Sequence, residues 1–136
     1  MPKMIFVNFP IADLDRSIAF YTAIGGTKNP KFSDESAACM VLSETIHVML
    51  LTHDKYRFFT SRPIADARST SAALIAITVD SRDEVDVTIE HAVAAGGQAD
   101  PNPKQDHGFM FSRSVQDPDG NVWEIFWMDP AAVTGA

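Results

Sequence analysis

Alternation of apolar and polar positions is clearest near the C-terminus, where Val122, Glu124 and Phe126 interleave with Trp123, Ile125 and Trp127. Strand side chains alternate between faces, so the run predicts a strand that carries one carboxylate among apolar neighbours. Asp117-Pro118-Asp119-Gly120 precedes it, with a Pro preset for a turn and a Gly that accepts positive φ. Together with 108–115 upstream, this predicts a hairpin. The runs 4–9 and 73–79 are continuously apolar and read as buried strands, the first ending at Pro10. Between 13 and 24 the period changes to helical. Leu14, Ile18, Tyr21 and Ile24 recur behind Asp13, and Gly25-Gly26 stops the helix. A second helix opens on the capping box Ser81-Arg82-Asp83-Glu84, carries Val85, Ile89, Ala92 and Val93, and stops at Gly96-Gly97.

Three short strands are expected between 31 and 51: around Phe32, over 37–42 and over 46–51, the last two joined by a tight turn at Ser43-Glu44 or Glu44-Thr45. A further strand at 98–100 precedes the Pro101-Asn102-Pro103 break. The halves therefore repeat: apolar strand, helix begun after an Asp, double-glycine stop, three strands. An internal duplication is the simplest account. Each half alone buries one face of its sheet, so the two must pair, within one chain or across a dimer. Between them, 53–72 mixes Lys55, Arg57, Arg62 and Arg68 with Tyr56, Phe58, Phe59 and Pro63, and a short helix is expected near 55–60. This segment is either a connecting arm pinned to the body by its aromatic pair or a lid over a site.

Composition narrows the function classes. At 136 residues the chain reads as one domain, with module one at about 1–52, the arm at 53–72 and module two at 73–128. A net charge of -7 without a Lys/Arg cluster gives no electrostatic footprint for nucleic acid or an anionic membrane. The single cysteine, Cys39, excludes an internal disulfide, and no signal-peptide pattern opens the chain, so a cytoplasmic protein is expected.

The repeat, with Asp13-Leu14-Asp15-Arg16-Ser17-Ile18-Ala19-Phe20-Tyr21 and Asp117-Pro118-Asp119-Gly120-Asn121-Val122-Trp123-Glu124, resembles the vicinal oxygen chelate superfamily of glyoxalases, bleomycin-resistance proteins, extradiol dioxygenases and fosfomycin-resistance enzymes. The resemblance spans 4–127. It departs at Gly25, where a leucine is usual. It implies an α+β fold in which two βαβββ modules form a cup-shaped, mostly antiparallel sheet with helices outside, and a homodimer. In metal-using members four ligands come from the first and last strands of each module. Carried onto this chain, those positions are Phe6, Met49, Leu74 and Glu124, or His47 or Leu51 in place of Met49 if the fourth strand slips by two residues. One carboxylate with Phe, Met and Leu cannot replace the hydration shell of a hard cation, so no metal or other cofactor is expected.

The same frame implies a cup lined by Phe6, Asn8, His47, Met49, Leu51, Leu74, Ala76, Val122, Glu124 and Phe126, mostly apolar with a few polar groups, as small-molecule sites are. Phe6, Met49 and Leu74 serve equally as plain packing. Glu124 is a candidate acid or base whose apolar surroundings favour its protonated form unless Asn8, His47 or an arginine holds it charged; otherwise it is a strand-end carboxylate that reaches water. His47 is its candidate catalytic partner or a ligand contact, against the reading of a satisfied structural histidine. His107, before Gly108, is a ligand contact at the cup mouth or a solvent-exposed loop residue, Phe126 a further lining residue, and Cys39 a small core residue. Two functions follow, a binding protein for a small, partly apolar molecule, or a lyase or isomerase of the lactoylglutathione-lyase type, and opposing both is a closed cup with only an interaction role. The lyase or isomerase would work through a shifted metal site or without metal, with Glu124 as acid/base.

Overall fold

The structure, a computed structural model, describes residues 1–134, which divide into two units, Met1–Asp66 and the part from Ala67 onward. Strand β1 (Ile5–Ile11) leads into helix α1 (Leu14–Ala23). Asp13 is extended and its carboxylate accepts from the Arg16 N–H at 3.1 Å, which caps the helix, and Gly25 at φ 111° turns the chain out of it. Strands β2 (Thr27–Asn29), β3 (Ala37–Val41) and β4 (Ile46–Thr52) follow, and helix α2 (His53–Tyr56) closes the unit. The sheet order is β1-β4-β3-β2, with β1 parallel to β4 and the other pairs antiparallel.

On one face of this sheet Ala38, Met40, Val48 and Leu50 bury against Phe20 and Tyr21 of α1, with Ile11 and Ile24 at the margins. The buried stripe of α1 is Ser17, Phe20 and Tyr21, whereas Leu14 and Ile18 are only half-buried. The expected stripe is thus rotated toward Phe20, the larger side chain.

Three local expectations need correction. Phe32 is not in a strand: the Asn29 side chain accepts from the Lys31 N–H and Pro30 supplies a fixed φ, so Pro30–Phe32 forms a single 3-10 turn after β2. The β3–β4 connection is four residues long, because Leu42 and Ser43 both donate to the Ile46 carbonyl and the Ser43 hydroxyl accepts from the Ile46 N–H. The two apolar runs read as buried strands are end strands of their sheets. Met4, Ile5 and Phe6 are exposed, and β1 continues through Pro10, whose missing N–H is tolerated at an end strand.

The second unit repeats the plan. It comprises β5 (Ile75–Thr78), α3 (Arg82–Ala94), β6 (Gln98–Ala99), β7 (Gln105–Asp106), β8 (Met110–Gln116), β9 (Val122–Met128) and a short α4 (Pro130–Thr134). Its order is β5-β9-β8-β6, with β7 also on β8 and β5 parallel to β9. Each unit therefore runs its first strand parallel to its last in the same order, as a duplication requires. The fold is α+β, two βαβββ modules on mixed sheets of four and five strands. Ser81 caps α3 by accepting from the Glu84 N–H at 3.2 Å, and Glu84 reaches back to the Asp80 N–H at 3.0 Å. Val85, Ile89 and Ala92 bury against Val115, Trp123 and Ile125, while Val93 is exposed. β5 is shorter than its apolar run, and Leu74 precedes it, exposed. β7 and α4 have no counterpart in the periodicity. No described helix is long and apolar enough to cross a membrane.

The turn between β8 and β9 is built around Asp117. Its carboxylate accepts from the backbone N–H groups of Asp119 and Asn121 and from the Asn121 amide, while Gly120 takes φ 102°. Residues 67–68 lie directly against Gly120, and the Arg68 guanidinium donates to the Pro118 carbonyl. This polar tie, and not the aromatic pair, holds the end of the arm: Phe58 and Phe59 are 82% and 70% exposed.

Candidate functional site

In the first unit, strand parity sends Phe6, Asn8, His47, Met49 and Leu51 to the face opposite α1. The pairing aligns Phe6 with His47, Asn8 with Met49 and Pro10 with Leu51. The structure thus brings together four of the predicted ligand residues, Phe6, Asn8, His47 and Met49. Phe6 stacks on the His47 ring with centroids 4.4 Å apart and planes inclined by 17°. His47 is buried, and its Nδ1 has no hydrogen-bond partner among the described residues. A buried polar atom left without a partner costs about 1–3 kcal/mol.

Thr52 ends β4 and caps α2 by accepting from the Lys55 N–H at 3.3 Å, which folds the chain back over this face so that α2 meets β4 and β1. A pocket of about 360 Å³ results, lined by Asn8, Leu51, Tyr56, Phe59 and Thr60. Asn8 and Leu51 were legible as lining residues. Tyr56, Phe59 and Thr60 belong to the arm, and the threonine cap at the end of β4 is the sequence feature that could have announced their return. The helix expected near 55–60 lies earlier, at His53–Tyr56, for the same reason. Cys39 is buried in β3, and burial pushes its thiol pKa up, away from nucleophilic use.

In the second unit Val122, Glu124 and Phe126 share the face opposite α3. The cross-strand neighbours of Glu124 are Ala76 and Ser114, and those of Phe126 are Thr78 and Ser112. Glu124 is half-buried, and its carboxylate makes no hydrogen bond or ion pair with a described residue. Arg113 aligns with Ile125 and so points to the α3 face, where it binds Asp100 and Asp86 instead of Glu124. His107 follows β7 and is exposed, its ring 6.2 Å from that of Phe109. Beside it Arg82 grips Asp106 through two bonds of 3.0 and 2.7 Å; these and the Gly108 N–H hold the Asp106 carboxyl down to about 2.

Residues 3–125 match the family model of the Glyoxalase/Bleomycin resistance protein/Dioxygenase superfamily. The chain belongs to that superfamily. Solved structures with the same fold include hypothetical protein SA1046 from S. aureus, 20% identical, TM-score 0.76, covering 93% of this chain and 94% of that one. A glyoxalase-related enzyme from Fulvimarina pelagi is 22% identical with TM-score 0.77 over 93% and 88%. The fosfomycin resistance protein FosX from Mesorhizobium loti is 14% identical with TM-score 0.69 over 98% of each chain. A search of curated proteins found no match.

Glyoxalase-superfamily membership raises the metal question directly. Among the described residues no group of three or more His, Cys, Asp or Glu side chains is placed to hold an ion. On the Glu124 face the neighbours are Ala76 and Ser114, and on the Met49 face they are Asn8 and Cys39. A hard divalent cation requires several oxygen or imidazole donors, so these residues do not fit the four-ligand site of metal-using members.

Proposed function

We propose that this glyoxalase-superfamily chain binds a small, partly apolar molecule over the face of its first sheet, without a metal or other cofactor. The pocket lined by Asn8, Leu51, Tyr56, Phe59 and Thr60 carries this reading. Its volume lies within the range of small-molecule sites, and its walls combine apolar and aromatic groups with one amide and two hydroxyls. His47 and Phe6 extend the same face, and Met49 lies between them and the pocket. The protein acts as a cytoplasmic homodimer with no nucleic-acid or membrane partner.

Phe59→Ala tests the pocket. Phe59 is largely exposed, so its truncation leaves the fold intact, but it removes one wall. Affinity for any ligand found by thermal-shift screening should fall about tenfold or more, whereas Phe58→Ala, which removes the neighbouring ring outside the lining, should leave it unchanged. Equal loss from both variants would count against the site.

Glu124 supports a second reading, a lyase or isomerase that moves a proton at this carboxylate. Its half-buried carboxylate without a described partner is the observation in its favour. Elemental analysis of chelator-free protein offered nickel, zinc, manganese and ferrous iron should find well under one metal per chain, unchanged in Glu124→Gln. Stoichiometric metal lost in that variant would establish a shifted site and the metal-dependent chemistry.

A further inference from the structure

We propose that the second unit carries a binding site of its own for a small organic cation, a primary ammonium on an aromatic body, with Glu124 as the counter-ion. This goes beyond the pocket reading and uses none of that pocket's residues. From Ala67 onward the chain has eleven Asp and Glu against four Lys and Arg, whereas up to Asp66 the two are balanced at seven each. The whole net charge of -7 therefore belongs to the second unit. A field of that sign concentrates cations and repels anions.

Glu124 is an acceptor without a donor. Of its cross-strand neighbours, Ala76 has no polar side chain, and the Ser114 hydroxyl accepts from the Asn102 N–H at 3.0 Å and donates to the Asn102 carbonyl at 3.2 Å. A hydroxyl has one hydrogen, so Ser114 has none left for Glu124. The cations of the unit are placed elsewhere. Arg113 forks onto Asp100 and Asp86 on the α3 face, Arg82 holds Asp106, Arg68 donates to the Pro118 carbonyl, and Lys104 is exposed just before β7. A half-buried carboxylate has given up part of its hydration, and an ammonium would return both an opposite charge and three N–H donors. Phe126 stands next on the same face, about 7 Å along the strand, with Ser112 and Thr78 beside it. Its ring takes the aromatic body of the ligand while the ammonium stays at Glu124. A ring beside a single carboxylate favours an organic cation over a metal ion, for which the donor set is too small.

Two probes of one shape test the site: 2-naphthylmethylamine, a cation at neutral pH, and the uncharged 2-naphthylmethanol. Each is titrated into the full chain, Glu124→Gln and Glu90→Gln, with amide NMR shifts at Ser112 and Phe126 as readout. Glu90 is exposed on α3, so its variant removes the same charge without touching this face. In the wild type the amine should bind about tenfold tighter than the alcohol. Glu124→Gln should abolish that preference, and Glu90→Gln should keep it. Equal binding of amine and alcohol to the wild type, a preference that survives in Glu124→Gln, or one lost equally in both variants would overturn the proposal. So would the absence of amine-dependent shifts at Ser112 and Phe126; shifts at Tyr56 and Thr60 in their place would support the pocket reading alone.

Discussion

Gly120→Ala should cost about 3–5 kcal/mol of stability and lower the Tm by roughly 15 °C, the largest effect expected of any single methyl added to this chain. Two penalties add at this position. Gly120 holds φ 102°, where an L side chain is strained by about 1–3 kcal/mol. A Cβ there would also stand 2.7 Å from the Arg68 N and 2.8 Å from the Ala67 carbonyl carbon, so the backbone of the arm itself must move. Gly25→Ala separates the two terms. Its φ is 111°, but nothing lies within 4 Å of the added Cβ, so only the strain of about 1–2 kcal/mol should appear. Urea unfolding of both variants checks the difference, and limited proteolysis should cut near residue 67 in Gly120→Ala before the rest of the chain. Equal losses in the two variants would mean that the arm does not lean on the turn.

The fold was legible where local chemistry and long-range pattern agree. Asp13, Ser81 and the double glycines bound both helices because caps and positive φ are decided by neighbouring residues, and alternation from Val122 to Trp127 assigned both faces of β9. What failed depends on partners distant in sequence. Whether Ile5 and Phe6 are buried is decided by where β1 lies in its sheet, and an apolar run looks alike at the centre and at an end. β7 is a two-residue strand recruited by β8, too short to carry a period. Phe32 was misplaced for a local reason: Asn29 and Pro30 outweighed its strand preference.

The candidate site was legible in part for the same reasons. Parity alone places Phe6, Asn8, His47 and Met49 on one face, and the pairing register bears that out. Register across parallel strands is not local, however. The direct neighbour of Glu124 on β5 is Ala76, with Leu74 lying two residues earlier and before the strand begins. The arm was the hardest stretch. Its aromatic residues suggested a hydrophobic anchor, yet Phe59 is a largely exposed pocket wall and the arm is tied by a guanidinium and a glycine. Both of those contacts form between residues about fifty positions apart, beyond any periodic signal.

Arg113→Met should destabilise the chain by about 2–3 kcal/mol at neutral pH, roughly 10 °C in Tm, through charges that lose their partner. Arg113 is 13% exposed and binds Asp100 through Nε at 3.1 Å and Nη2 at 2.7 Å, while Nη1 reaches Asp86 of α3 at 2.8 Å. One guanidinium thus joins β8, the residue after β6 and the helix that covers them. Asp100 also holds φ 55°, a conformation that Asp tolerates but does not favour. The fork therefore holds a carboxylate and a strained backbone at once. The bond to Arg113 lowers the Asp100 pKa in the folded state. A depressed carboxylate stabilises the fold above its unfolded pKa of about 3.9, and that contribution is lost as pH falls through the lower folded value. The gap between wild type and Arg113→Met should therefore be widest near neutrality and shrink as the pH drops below about 4. Asp100→Asn keeps a side chain that accepts positive φ while removing the charge, so in a double-mutant cycle with Arg113→Met it should return a coupling of about 1.5–3 kcal/mol at pH 7 and little at pH 2. A coupling that is the same at both pH values would place the role of Arg113 in packing its aliphatic stem against the core under α3, not in the fork.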